Sequence, residues 1–71
     1  MPSLREVRLR RLLTQRELAR LAGVTHKTVV DVELGRVEPR LTTMRKLAAA
    51  LGVAPGEVDE FRRAIEAKAA A

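Results

Sequence analysis

The chain has 71 residues, which is room for one domain with a few short elements and a small core. Apolar residues make up 46%, cysteine is absent and histidine occurs once, which excludes disulfides, thiolate metal sites and a structural zinc centre. The net charge is +5, from eleven Arg and three Lys against nine acids.

That charge is unevenly placed. Residues 1–27 hold seven cations and two carboxylates, whereas residues 28–71 hold seven of each. All the excess positive charge therefore lies in the first third, the electrostatic footprint of a polyanionic partner. An anionic membrane surface is disfavoured, because no basic face is backed by bulky aromatic residues. Apolar runs fall far short of the ~20 residues of a membrane span. No charged-then-apolar leader opens the chain, and the expected location is the cytoplasm.

Taken in chain order, apolar spacings of three and four predict helices throughout. Ser3 caps a first helix with Glu6 three residues on, and Leu4 and Val7 share a face. Thr14-Gln15-Arg16-Glu17 fits a capping box, and Leu18, Leu21 and Ala22 mark the buried stripe of a second helix. Gly23 stops it, Val24 is an apolar turn residue and Thr25 caps a third helix. The segment His26 to Leu34 is β-branched and suits a strand on propensity alone. The three-residue spacing of Val29 and Val32, with Gly35 as a stop, makes it helix. Pro39 keeps Glu38 out of helix. Leu41, Met44, Leu47, Ala48 and Leu51 then form the stripe of a fourth helix ended by Gly52. Pro55 opens a fifth helix with Val58, Phe61 and Ile65 on its apolar face. Residues 1–66 are expected to form the domain, with Ala67 to Ala71 a frayed tail.

Two helices joined by a tight Gly turn suggest a helix-turn-helix. The stretch from Leu13 through Thr25, continued by Val29, Glu33 and Gly35, closely resembles the Cro/repressor-like (XRE-type) family of DNA-binding regulators. The string Leu47-Ala48-Ala49-Ala50-Leu51-Gly52-Val53 resembles that family too, so the likeness covers Leu4 to Val58. It implies an all-α, compact five-helix bundle of the phage-repressor DNA-binding type, with helices 2 and 3 forming the helix-turn-helix. The physics agrees: Ala19 allows helices 2 and 3 to approach, Gly23 turns without a Cβ penalty, and Val24 and Val29 fill the space between.

The resemblance further implies that the third helix enters the major groove of double-stranded DNA. His26 and Lys27 then stand at its first exposed positions, where both side chains can donate to guanine O6 and N7. Thr28 and Val30 are candidates for a thymine methyl, and Asp31 either accepts from cytosine N4 or repels phosphate. Candidate phosphate contacts are Gln15, Arg16, Arg20, Thr25, Arg36 and Arg40. Arg8 and Glu33 occupy positions that in the family often form a structural ion pair. No catalytic residues, metal or cofactor are implied, because no acid, base or nucleophile pair converges.

Departures from the family pattern are as informative. Leu12 stands where a helix-ending Gly is common, Leu34 replaces a usual phosphate donor, and Ala54 and Arg40 are poor caps. Leu9 and Leu12 add an apolar stripe, expected to pack on the fifth helix rather than a second subunit. The function so implied is a sequence-specific transcriptional regulator, acting as a repressor by blocking polymerase. It would act at the nucleoid of a bacterium or on a phage genome, as a homodimer on a palindromic operator. The alternatives are an antitoxin or coactivator-like module with a protein partner, and a restriction–modification controller.

Overall fold

The computed structural model describes every residue, Met1–Ala71, as five helices with no strand. They are α1 (Leu4–Arg10), α2 (Gln15–Ala22), α3 (His26–Glu33), α4 (Leu41–Leu51) and α5 (Asp59–Ala70), with a 3-10 turn at Pro55–Glu57 before the last. Short polar side chains start the first three. Ser3 Oγ accepts the Glu6 N–H at 3.1 Å while Glu6 accepts the Ser3 N–H at 3.2 Å. Thr14 and Glu17 repeat the exchange at 3.0 and 2.9 Å. Thr25 Oγ1 accepts the Thr28 N–H at 3.1 Å. Each bond satisfies an amide that the helix leaves open at its first turn.

The first four helices stop by one device. A backbone N–H beyond the helix returns to a carbonyl five residues earlier: Leu13 to Arg8, Val24 to Ala19, Arg36 to Asp31 and Val53 to Ala48, at 2.9 to 3.2 Å. The residue before each donor must turn left-handed. At the joint between α2 and α3 this is Gly23, φ +72°. After α1 it is Leu12, φ +57°, the one non-glycine residue with positive φ.

The core contains fourteen apolar residues from all five helices and the turn before α5. Leu4, Leu18, Val29, Leu47, Val58 and Phe61 are fully enclosed. Packing thus decides for helix in α3, where the β-branched sequence is ambiguous: Val29 and Val32 insert between α2 and the rest of the core. No helix is long and apolar enough to cross a membrane.

Several expectations need correction. Leu21 is exposed, because the buried arc of α2 is Leu18, Ala19 and Ala22. At ~100° per residue, Leu21 stands about 100° from Ala22 on the solvent side. Leu41 and Ile65 are also exposed, and Ala64 takes the inner position on α5. Leu9 and Leu12 do not pack on α5; the inner face of α1 is Leu4, Val7 and Arg8, and Leu12 is 89% exposed. The fifth helix begins at Asp59, not Pro55. Its start is fixed by the other end of the chain: the Asp59 N–H donates to the Pro2 carbonyl at 2.8 Å, and the Leu4 N–H to Glu60 at 2.7 Å. That helix runs through Ala67 to Ala70, and Lys68 on it pairs with Glu38 at 2.9 Å.

Leu12 combines a strained backbone with an almost fully solvated side chain. Leu12→Gly is therefore expected to stabilise the domain by about 1 kcal/mol. For a domain this size that is a rise in Tm of roughly 4–8 °C by thermal circular dichroism. An unchanged or lower Tm would show that the leucine side chain makes up the backbone strain.

Candidate nucleic-acid interface

Placement of the α3 surface begins with an ion pair at its far end. Arg8 Nε donates to Glu33 Oε2 at 2.7 Å and Arg8 Nη2 to Oε1 at 3.1 Å. The remaining guanidinium nitrogen, Nη1, reaches the Leu13 carbonyl at 2.8 Å, and Gln15 Nε2 adds a third donor to Glu33 at 3.1 Å. The two charged side chains are only 8% and 4% exposed. No buried side-chain polar atom is left without a partner. Such a pair fixes α3 against α1 and the start of α2, and its geometry is bidentate.

With α3 held there, its inner face is Val29 and Val32 and its outer face carries Lys27 and Asp31, one turn apart. Lys27 is 85% exposed at its side chain, and His26, Thr28 and Val30 are half-buried around it. Asp31 lies on the outward side yet is buried, because two cations cover it. Its Oδ2 accepts from Lys27 Nζ at 2.7 Å, and its Oδ1 lies 3.6 Å from Arg36 Nη1. The Lys27 hydrogen bond and the two positive charges hold the Asp31 carboxyl below its ordinary range, against the opposing effect of burial. Thr25 is occupied as the cap of α3, its hydroxyl also bonded to Thr28.

The remaining candidates separate into two groups. Arg16 and Arg20 on α2 and Arg40 before α4 are exposed and have no carboxylate partner. The first-turn amides of Gln15 and Arg16 have no acceptor within α2. Gln15 itself is turned inward, spending one amide hydrogen on Glu33. Sequence reasoning overlooked this tie and the engagement of both Asp31 oxygens. The Lys27–Asp31 spacing of four was the available signal for the latter. Between α3 and the start of α4 runs an open groove of about 420 Å³, lined among others by Thr28, Asp31, Arg40 and Thr43.

A capped second helix, a Gly turn and a third helix with one side in the core and the exposed Lys27 on the other define a helix-turn-helix DNA-binding regulator. The chain belongs to the helix-turn-helix family whose model it matches over residues 4–58. It is 45% identical over 49 residues to an uncharacterized HTH-type transcriptional regulator of Methanothermobacter thermautotrophicus, covering 69% of this chain and 71% of the relative. It is 35% identical over 54 residues to the HTH-type transcriptional regulator PuuR of Escherichia coli, and equally to PuuR of Shigella flexneri. That match covers 76% of this chain but only 29% of PuuR.

Removing Glu33 leaves a buried guanidinium with one acceptor. Glu33→Ala is expected to cost on the order of 3–5 kcal/mol, a large share of the 5–15 kcal/mol typical of a domain. Replacing both partners together, Arg8→Met with Glu33→Leu, should recover most of it in urea unfolding. A double variant as unstable as Glu33→Ala would mean that the pair itself, not the orphaned charge, sets the cost.

Acid sensitivity follows from the caps. Glu6 and Glu17 are held below the ordinary glutamate value of 4.5, first by the Ser3 and Thr14 backbone N–H groups and then by their hydroxyls. A depressed folded pKa contributes stability that is present above the unfolded value and lost as pH falls through the folded one. Urea midpoints should thus hold steady from pH 7 to 5 and decline below 4.5, with Glu17→Gln less sensitive. A Glu17→Gln curve parallel to that of the unmodified protein would remove this role for the cap.

Proposed function

We propose that the protein is a sequence-specific transcriptional repressor that binds palindromic duplex DNA as a symmetric dimer, with α3 in the major groove. The carrying observation is the outer face of α3. It presents Lys27 near its first turn with His26, Thr28 and Val30 beside it, and it is braced from behind by the Arg8–Glu33 pair. A braced helix loses little freedom on docking, so its side chains can discriminate between base edges. Lys27 and His26 supply donors for guanine O6 and N7, and Thr28 and Val30 supply methyl groups for thymine. Arg16, Arg20, Arg40 and the open amides of α2 supply phosphate contacts that set register. Thr25 serves as the cap of α3, and Arg36 adds positive charge at its far end. Two copies related by a two-fold axis would bring two such helices to successive major grooves, roughly 34 Å apart. Occupying a promoter in this way excludes polymerase.

A second reading rests on one observation. Leu9 on α1 and Leu12 in the turn just beyond it are both exposed. That apolar surface suits a protein partner, as in an antitoxin or a coactivator-like module on the same fold.

Selection from genomic fragments, followed by titration at several salt concentrations, separates the two. The repressor reading expects a palindromic site bound by two chains, ~10³-fold or more above random duplex. Lys27→Ala should cost about 1–3 kcal/mol at that site and relax the preference at one base position. Arg16→Ala should weaken all sequences alike and reduce the salt slope by about one. Binding by a single chain to a pure palindrome would exclude the dimer. Weak, sequence-blind binding would exclude the regulator reading altogether.

A further inference from the structure

Resting on the reading of α3 as the recognition helix, we infer that Asp31 is a positioning residue. It aims Lys27 at a base edge and keeps it off the phosphates, and it makes no base contact of its own. Lysine is a poor reader of sequence when left alone. Its charge sits on a flexible four-carbon stem, and the strongest attractors along a duplex are the phosphates, which carry no sequence information. In this protein the ammonium group has a partner at hand. Asp31 stands one helical turn beyond Lys27 on the same face and takes the ammonium group at 2.7 Å.

The anchor is itself fixed. The Asp31 side chain is 9% exposed, whereas the Lys27 side chain that it holds is 85% exposed. Its second oxygen faces Arg36 at 3.6 Å, and its own carbonyl accepts the Arg36 N–H at 2.9 Å in the stop of α3. One residue therefore ties the reading lysine to the loop beyond the helix, by side chain and by backbone.

The donor count fits a single kind of base. An ammonium group has three N–H donors. One is spent on Asp31, and the two left match the two adjacent acceptors, O6 and N7, of a guanine edge. The carboxylate also adds negative charge beside the lysine, which penalises approach of that face to a phosphate more than approach to a neutral base edge. Oδ2 is bonded to Lys27 and Oδ1 faces Arg36 at 3.6 Å, so each oxygen already has a cation beside it before any base approaches.

The test compares Asp31→Asn, Asp31→Glu and Lys27→Met with the unmodified chain, each first shown to be folded by its thermal transition. Binding is then measured to the selected site, to that site with each base changed in turn, and to random duplex. Asp31→Asn keeps the shape of the side chain and removes its charge. It is expected to bind random duplex more tightly and to lose about tenfold in preference at the one position that Lys27→Met also erases. Asp31→Glu, which keeps the carboxylate, should restore most of that preference. In the Lys27→Met background, Asp31→Asn should change all sequences alike. The inference is overturned if Asp31→Asn strengthens every sequence equally with the base profile intact, since the carboxylate then acts only through net charge. It is also overturned if Asp31→Asn erases preference at a position that Lys27→Met leaves unchanged, because Asp31 would then read a base directly. Failure of the regulator reading has a different signature: no base preference in the unmodified protein.

Discussion

Everything in this domain is organised around a charge that has been taken out of water. The Arg8–Glu33 pair is enclosed where the end of α1, the start of α2 and the end of α3 converge. Desolvating two charges costs several kcal/mol each, and attraction offsets this only when the geometry is good and every remaining lone pair and proton has a partner. Leu13 and Gln15 complete the set, and no buried side-chain polar atom lacks a partner. Buried pairs of this kind often add little net stability compared with an apolar alternative; what this one adds is a directional restraint on α3. Apolar packing of Val29 and Val32 tolerates small rotations of α3, whereas a bidentate pair held by one further donor, Gln15, and one further acceptor, the Leu13 carbonyl, does not.

The features legible in the sequence were those set over three or four residues. Capping boxes at Ser3 and Thr14, the Gly23 turn and the stripe Met44, Leu47, Ala48 and Leu51 involve neighbours in the chain, so residue types and spacing suffice. What failed depended on distant residues. Periodicity tells which residues share a face but not whether anything lies against it. Leu9, Leu21, Leu41 and Ile65 were misjudged for that reason. The start of α5 was misplaced because Pro2 and Glu60, at opposite ends of the chain, fix it together.

The interface shows the same division. Composition already located the excess charge, and the resemblance located the helix that would use it. Which polar groups remain available is a tertiary matter. Gln15 is partly consumed by Glu33, Asp31 is bonded to Lys27 and faces Arg36, and Arg16, Arg20 and Arg40 stand free. A basic patch read from sequence therefore overstates the number of free partners and understates how well the bound ones are oriented.

The shared helix stop has a thermodynamic consequence. Because each of the first four helices ends in a backbone bond that reaches back five residues, no joint between them is a free hinge. The conformational entropy of those joints is lost once, when the chain folds. Encounter with a ligand then orders little beyond a few surface side chains, and the heat-capacity change of association should reflect the contact area alone, with no added signature of coupled folding.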